Sequence, residues 1–191
     1  MTDIAALERR IARVEAQQEI RALVSTYCMA CDDRDLNTLT GLFTPEGTFQ
    51  SRNGATDAHG RDAIRRHFSS RYAGMGVTNH WTHDHLITLE DDNSATGIVF
   101  SHVESSLQGT GFLGATRYHD HYVRQDGQWR FGSRLLDFLY FAPAAEYPGI
   151  LSEQLRMKAF GRNAAADYPE GLETWRASMP RSDDPALRTT E

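Results

Sequence analysis

An α+β fold is predicted by three features of this 191-residue sequence. Apolar residues recur at three- and four-residue steps in the segment that ends near Cys31, which indicates a long amphipathic helix. From about Val77 the apolar period changes to two, as is typical of strands. Short turn sequences separate four long strand-like segments, so we expect an antiparallel meander that follows the helices.

Three helices are predicted before the meander. The apolar face of the first consists of Ile4, Leu7, Ile11, Val14, Ile20, Leu23, Val24 and Tyr27. Asp35 is a plausible N-cap for a short second helix, whose apolar residues are Leu36, Leu39, Leu42 and Phe43. A third helix is expected from about Arg61 to Ala73, before Gly74.

The remaining segments are predicted as strands, loops and a C-terminal extension. A brief strand runs through Phe49, and polar residues from Arg52 to Gly60 indicate a loop. The meander strands lie near Val77–Leu89, Ala95–Leu107, Gly111–Arg124 and Trp129–Phe141. Beyond them we expect a helix over residues 150–160 and a loose polar tail over 180–191. One domain is therefore predicted over residues 1–145, with an extension over 146–191.

Composition excludes some classes of partner. The formal charge is −6, the pI is about 5.7, and the arginines are scattered among acids, so no nucleic-acid partner is expected. No apolar run reaches the roughly 18 residues of a membrane span, and the N-terminal segment lacks the apolar core of a signal peptide. We therefore expect a soluble, cytoplasmic protein without a membrane partner.

Cysteine and histidine patterns do not predict a metal or a cofactor. Cys28 and Cys31 form a C-x-x-C motif late in a helical pattern, which favours two buried thiols over a redox or zinc site. Histidines on the strands suit a polar pocket lining or an exposed sheet face better than a metal centre; they are His83, His85, His102, His119 and His121. No phosphate-binding loop or nucleophile elbow is present.

Asp32 and His80 are the leading candidates for chemistry. A neutral imidazole can remove a proton near neutral pH when an acceptor holds its other nitrogen and stabilises the imidazolium. Asp32 lies at a helix C-terminus, where sharing charge with a protonated histidine is favourable. The alternative is that Asp32 only ends the helix and His80 is an ordinary strand residue. Asp33 is a rival carboxylate, but it points about 100° away on the helix.

Other residues could polarise or bind a substrate. His102 is a second acid/base candidate, and Arg134 could hold a substrate oxygen or form an ordinary ion pair. A flat apolar ligand would suit the aromatic residues Phe49, Trp81, Phe100, Tyr140 and Phe141, with His119 as a polar contact. The competing interpretation is that the aromatic side chains only fill a core.

The chain resembles the SnoaL-like branch of the nuclear transport factor 2-like superfamily over roughly residues 5 to 142. The resemblance rests on Ile20-x-x-Leu23-x-x-x-Tyr27-x-x-x-x-Asp32-x-x-Asp35, on Leu42-Phe43-Thr44-Pro45-Glu46-Gly47-Thr48-Phe49, on Thr78-Asn79-His80, on Arg117-Tyr118-His119-Asp120, and on Asp126-Gly127-Gln128-Trp129-Arg130-Phe131 with Arg134. Similar members include scytalone dehydratase, hexachlorocyclohexane dehydrochlorinase, bile-acid dehydratases and a lyase that removes formaldehyde from lignin-derived diaryl compounds. Such members imply a cone of helices and a strongly curved antiparallel sheet around a pocket.

The resemblance also implies roles and an activity. It places a His-Asp dyad on His80 and Asp32, and the dehydrochlorinase's late-strand arginine on Arg134. Tyr27 stands where that enzyme has a lysine, an arrangement more similar to scytalone dehydratase. The implied function is a cofactor-independent lyase for a small aromatic or polycyclic substrate, in a homo-oligomer that is a trimer or a dimer. Open alternatives are an isomerase or cyclase, a ligand-binding module, or an assembly subunit resembling the small subunit of ring-hydroxylating dioxygenases.

Overall fold

The computed structural model describes residues 3–159 and 161–179 and has an α+β architecture. The helices are α1 (Ile4–Asp32), α2 (Leu36–Gly41), α3 (Arg61–Tyr72), α4 (Tyr147–Ile150) and α5 (Glu173–Ser178). The strands are β1 (Phe43–Ser51), β2 (Asp57–His59), β3 (Met75–Leu89), β4 (Ser94–Leu107), β5 (Thr110–Gln125) and β6 (Gln128–Pro143). The predicted order of helices and meander strands is confirmed, and β2 lies inside the segment expected to be a loop.

Helix α1 is buried over its C-terminal half only. From Ala16 onward, one face of the helix is buried in the core, with its residues at helical spacing. The apolar residues nearer the N-terminus, including Ile4 and Val14, are exposed. After Asp32 the chain leaves the helix, and Arg34 adopts a left-handed conformation at φ 59°. Asp35 then caps α2, because its carboxylate accepts hydrogen bonds from the backbone N–H groups of Asn37 and Thr38.

The six strands form one mixed sheet in the order β2-β1-β6-β5-β4-β3. Strands β3 to β6 pair with their chain neighbours as antiparallel hairpins, as the turn sequences predict. The expectation of a purely antiparallel sheet is wrong at one place, because β1 pairs parallel to β6. No short turn connects these two strands, so local turn chemistry could not fix their relative direction.

The sheet bends around the helices and does not close. Register shifts interrupt the pairing of β3 with β4 and of β5 with β6, and such bulges increase local twist and curvature. The concave face packs on α1 and α3 around an aromatic cluster centred on Tyr27. The ring of Tyr27 contacts five other rings at centroid distances of 5.6 to 6.4 Å, those of Phe43, Phe49, Phe68, Tyr118 and Phe131.

The C-terminal segment lies beside the end of β6, and its bridge to that strand at Phe141 and Met157 is parallel. A helix over residues 150–160 was expected, but α4 ends at Ile150 and residues 151–159 are not helical. Their backbone bonds go to the sheet instead: Phe141 N–H donates to Arg156 O, and Lys158 N–H donates to Phe141 O. The buried guanidinium of Arg156 ties this segment to Leu139 O and to the carboxylate of Glu170. The predicted loose tail over 180–191 lies outside the described residues.

Helix α1 is the longest helix, but length is not sufficient for a membrane span. Within residues 3–159 and 161–179, no helix is both long enough and apolar enough to cross a bilayer.

Candidate active site

Asp32 and His80 are in direct contact. Nδ1 of His80 lies 2.6 Å from Oδ1 of Asp32, and the backbone N–H of His80 donates to Oδ2 at 2.9 Å. The hydroxyl of Thr78 donates to Oδ1 at 3.1 Å. Burial by itself would raise the pKa of Asp32, but the hydrogen bonds and positive charge from His80, together with Thr78, lower it below its ordinary value. Asp32 is therefore held as a carboxylate that accepts from Nδ1.

Local structure explains why these two side chains meet. Asp32 is the last residue of α1, so its side chain projects where the helix ends against β3. On β3, Thr78 and His80 lie on the same face because side chains alternate along a strand. The hydroxyl of Tyr72, at the end of α3, donates to Cys31 O at 3.0 Å and ties the ends of the two helices together. Asp33, the rival carboxylate, is exposed.

A cavity of about 380 Å³ opens beside His80. Its walls come from α1, α3, the concave face of the sheet and the C-terminal segment. With Nδ1 directed at Asp32, Nε2 is the ring nitrogen of His80 that remains to accept a proton from a molecule in the cavity. Apolar side chains such as Phe68, Phe138 and Phe141 supply much of the wall. A cavity of this size and character suits a small, largely apolar ligand.

Tyr27 and Phe49 also line the cavity. Both are buried. Burial raises the pKa of Tyr27 well above its ordinary value, and the neighbouring Cys31 raises it further against the opposing effect of Arg134. Tyr27 therefore keeps its proton, and its hydroxyl can donate a hydrogen bond but cannot act as a base near neutral pH.

Three predicted site residues on β3 and β4 lie away from the cavity. Trp81 is 56% exposed and is the register partner of His102, directly after the His80–Val103 pair. His102 instead contacts a neighbouring imidazole, with its Nδ1 2.7 Å from His83 Nε2. Phe100 lies under the guanidinium of Arg117. Strand alternation is the physical reason: when His80 faces the cavity, the next residue and its cross-strand partner face the other side.

His119 and Tyr140 are likewise not among the described residues that line the cavity. Nε2 of His119 lies 3.2 Å from a carboxylate oxygen of Asp137. Tyr140 packs against Tyr147 and belongs to a small cluster with Ala115, Ala142 and Ile150. Both side chains therefore have local structural partners, and we do not assign them to substrate.

Arg134 forms an internal ion pair. Its Nε and Nη2 donate to the two carboxylate oxygens of Asp120 at 2.8 and 2.7 Å, and both side chains are 0% exposed. The guanidinium carbon lies 4.2 to 4.3 Å from the ring centroids of Tyr27, Phe131 and Tyr118. Burial would lower the pKa of Arg134, but Asp120 raises it well above its ordinary value. Since Arg134 does not line the cavity, the ion-pair alternative describes its position.

Several cavity residues escaped the sequence analysis. His67 and Arg71 are on α3, Ser105 and Thr116 are on the sheet, and Arg162 comes from the C-terminal segment. One signal was present for the helical pair. His67 and Arg71 lie three residues after Ile64 and Phe68, so they flank the apolar face of α3. No comparable signal marks Arg162, because the C-terminal segment has no regular period.

Cys28 and Cys31 are buried free thiols, as predicted. Burial raises the pKa of Cys28 to about 11 and that of Cys31 further, so neither is a thiolate near neutral pH. In the described part of the chain, no group of three or more His, Cys, Asp or Glu side chains has the arrangement of a metal site.

Two partly buried histidines should make the fold sensitive to acid. Burial lowers the pKa of His85 to about 4, and burial with the charge of Arg71 lowers that of His67 to about 4. An unfolded histidine has a pKa near 6.5, so between about pH 6.5 and 4 the unfolded chain binds these protons first. The free energy of unfolding therefore keeps its full value above about pH 6.5 and falls as the pH decreases towards 4. Each histidine lowers it by at most about 1.4 kcal/mol per pH unit, and solvent screening makes the loss smaller.

Urea unfolding between pH 7 and 4.5 measures this loss. His85→Gln should reduce the slope of unfolding free energy against pH, because Gln does not bind a proton in this range. The side-chain amide of Gln can still donate to the Tyr122 hydroxyl, whose oxygen lies 3.0 Å from His85 Nε2 in wild type. His59→Gln, at an exposed position, is the matched control. An identical slope in His85→Gln and wild type would contradict the prediction.

Comparisons with known proteins agree with this architecture. The family model of the SnoaL-like domain matches residues 12–135. A putative scytalone dehydratase from Novosphingobium aromaticivorans superposes with a TM-score of 0.66 at 18% identity, covering 70% of this chain and 91% of that one. A hexachlorocyclohexane dehydrochlorinase from Novosphingobium barchaimii gives 0.65 at 19% identity, covering 71% and 94%.

A third solved structure is more similar in sequence. It is a function-unknown protein from Mycobacterium tuberculosis, with a TM-score of 0.59, 26% identity, and coverage of 76% of this chain and 80% of that one. No curated protein sequence matches the chain. The family match spans more than half of the sequence and includes α2, α3 and the first five strands, together with Asp32 and His80. The chain therefore belongs to the SnoaL-like domain family.

Proposed function

We propose that this protein is a lyase that removes a proton from a small aromatic or polycyclic substrate and expels water or an aldehyde. The observation that carries the proposal is the 2.6 Å contact between His80 Nδ1 and Asp32 Oδ1 at the wall of the cavity. An imidazole oriented by a carboxylate, with its second nitrogen available to a bound molecule, is the arrangement that general base catalysis requires.

The dehydration step can be written with these groups alone. Nε2 of His80 takes a proton from a substrate carbon, and the electron pair of that C–H bond forms a C=C bond. The C–O bond on the adjacent carbon breaks, and the departing oxygen takes the proton back from the imidazolium and leaves as water. No net electron transfer occurs, and His80 returns to its neutral form.

Asp32 and Tyr27 would support this step in different ways. Asp32 holds Nδ1–H and places a negative charge beside the imidazolium while it exists. Tyr27 keeps its proton and lines the cavity, so its hydroxyl can donate to the oxygen on which charge develops. Arg134 and His102 have no part in the proposal because Arg134 is paired with Asp120 and His102 contacts His83, and neither residue lines the cavity.

The test is a screen of wild type and His80→Gln against aromatic alcohols, diaryl diols and hydroxysteroids, with loss of water or formaldehyde followed by mass. Gln is close to His in size, so the cavity shape is largely kept. We expect product from wild type and a rate about 10² to 10⁴ lower from His80→Gln.

Three outcomes would contradict the proposal. Equal rates from wild type and His80→Gln would show that His80 is not the catalytic base. Unchanged recovery of every compound, together with measurable binding, would favour a ligand-binding role. A product of unchanged mass but altered structure would identify an isomerase in place of a lyase.

A further inference from the structure

We propose that the ligand lies across the sheet from His80 towards Met157, and that Met157 and Ala159 in the C-terminal segment limit the length of the ring system that fits. This inference rests on the proposed function, because it takes His80 as the place of the reacting group. It adds the shape of the substrate, which is an elongated, largely apolar molecule longer than one aromatic ring.

A continuous row of paired residues leads from the proposed base to the C-terminal segment. His80 pairs with Val103, and Val103 pairs with Gly114. Gly114 pairs with Phe141, which forms the parallel bridge to Met157. Paired residues on neighbouring strands face the same side of a sheet, and the four side chains that flank Gly114 in this row all line the cavity. The cavity floor therefore extends from His80 to Met157.

The row gives the site its length and its apolar character. Neighbouring strands lie about 4.7–4.9 Å apart, so the four steps from His80 to Met157 cover about 19 Å along the curved sheet. In the middle of the row, a Cβ on Gly114 would lie 2.6 Å from Cδ2 of Phe141 and 2.9 Å from Cγ1 of Val103. Because Gly114 has no Cβ, these two side chains can close over it. The result is an apolar floor that suits a ligand with more than one ring.

Met157 and Ala159 form the far end of this floor. Ala159 is buried in a cluster with Leu107, Phe112 and Phe141, and Met157 packs against the same cluster. Both residues also line the cavity. The family match ends at residue 135, before this segment begins, so family membership does not predict where the cavity ends.

Several bonds fix the C-terminal segment to strand residues that line the cavity. Phe141 N–H donates to Arg156 O at 2.9 Å. Phe138 N–H donates to the carboxylate of Asp167 at 2.8 Å, and Asp167 N–H donates back to Phe138 O at 2.9 Å. The guanidinium of Arg156, which is 3% exposed, donates to both carboxylate oxygens of Glu170. The segment is therefore tied to β6 on both sides of Met157 and can act as an end wall.

The experiment measures affinity against ligand length. Equilibrium dialysis at pH 7 with phenol, 4-phenylphenol and 4-hydroxy-p-terphenyl compares rigid phenols that share one polar group. We expect wild type to bind 4-phenylphenol at least about 10-fold more tightly than phenol, because a second ring is buried. It should also bind 4-phenylphenol at least about 10-fold more tightly than the terphenyl, which is too long for the floor.

Two substitutions should move this length limit in opposite directions. Met157→Ala shortens the end wall, so the ratio of the affinities for 4-phenylphenol and the terphenyl should fall close to 1. Ala159→Leu extends the wall, so it should weaken binding of 4-phenylphenol about 10-fold and leave that of phenol within about twofold. Met29→Ala makes the same change as Met157→Ala at an exposed position on α1 and should keep the wild-type ratios.

The inference is overturned if wild type binds the terphenyl or phenol as tightly as 4-phenylphenol, binds none of the three at millimolar concentration, or keeps its ratios in Met157→Ala. Thermal unfolding shows whether each variant is folded. Met157→Leu conserves the volume of the side chain and should keep the wild-type length limit.

Failure of this inference is distinguishable from failure of the lyase proposal. His80→Gln should keep the wild-type order of affinities, since the end wall does not require the base. A length limit that responds to Met157→Ala, without turnover of any compound in the screen, would support the end wall and contradict the lyase. Turnover that is lost in His80→Gln, with affinities that do not respond to Met157→Ala, would support the lyase and contradict the end wall.

Discussion

Asp120→Asn is expected to lower the free energy of unfolding by about 3–5 kcal/mol. The variant leaves the guanidinium of Arg134 buried without its counter-charge, where wild type has a bidentate pair with both side chains 0% exposed. It also removes the carboxylate that accepts from the Tyr122 hydroxyl at 2.8 Å. Since small domains are stable by roughly 5–15 kcal/mol, this loss should be visible as a large decrease in the urea midpoint.

Two further variants make that prediction specific to the ion pair. Asp57→Asn changes an exposed carboxylate that pairs with His59, and its effect on the free energy of unfolding should be small beside that of Asp120→Asn. Adding Arg134→Gln to Asp120→Asn removes the guanidinium that would otherwise be buried without a counter-charge. The double variant should therefore lose less free energy of unfolding than the sum of the losses in the two single variants. If the single losses are additive, the two side chains do not stabilise the fold as a pair.

Asp32→Asn is expected to reduce kcat about 10² to 10⁴-fold on the substrate found by the screen. Asp32 accepts three hydrogen bonds, from Nδ1 of His80, from its backbone N–H and from the hydroxyl of Thr78. An amide has one oxygen and one NH₂ group, so it cannot accept all three. If the NH₂ group faces Nδ1, the ring carries its proton on Nε2 and can no longer act as the base.

Asp33→Asn is the matched control, because it makes the same change at the next residue, which is exposed. Its kcat should stay within about twofold of wild type, since no part of the proposed mechanism uses it. Equal activity in Asp32→Asn and wild type would show that the carboxylate does not orient His80 during turnover. Near-ultraviolet circular dichroism of both variants separates a change in mechanism from a change in fold.

Helices and hairpins could be predicted because their signals are local. Period-3.6 and period-2 patterns, Asp35 as a cap and the hairpin turns each act over a few residues, and the structure places these elements close to their expected bounds. The structure of the C-terminal segment could not be predicted from such local patterns. Ile150, Leu151 and Leu155 have helical spacing, but the backbone there bonds to β6, and that option is visible only once the sheet exists.

Some residues of the candidate site could be predicted from the sequence, and others could not. His80, Asp32, Tyr27 and Phe49 could be selected from the sequence because their motifs resemble those of a known family. Whether a strand residue faces the cavity depends on register, however, and a shift of one position separates His80 from Trp81. Register is set by bulges and by packing on the helices, so Trp81, Phe100 and His102 could not be excluded beforehand.

The sequence by itself determined the fold class, the order of the helices and meander strands, and the acid and imidazole that meet at the end of α1, because these follow from local periodicity and family motifs. Tertiary structure alone decided that β1 pairs with β6, that Arg134 is held by Asp120, and that Arg71 and Arg162 line the cavity. The physical reason is that these features depend on contacts between residues far apart in the chain, whose partners no local pattern specifies.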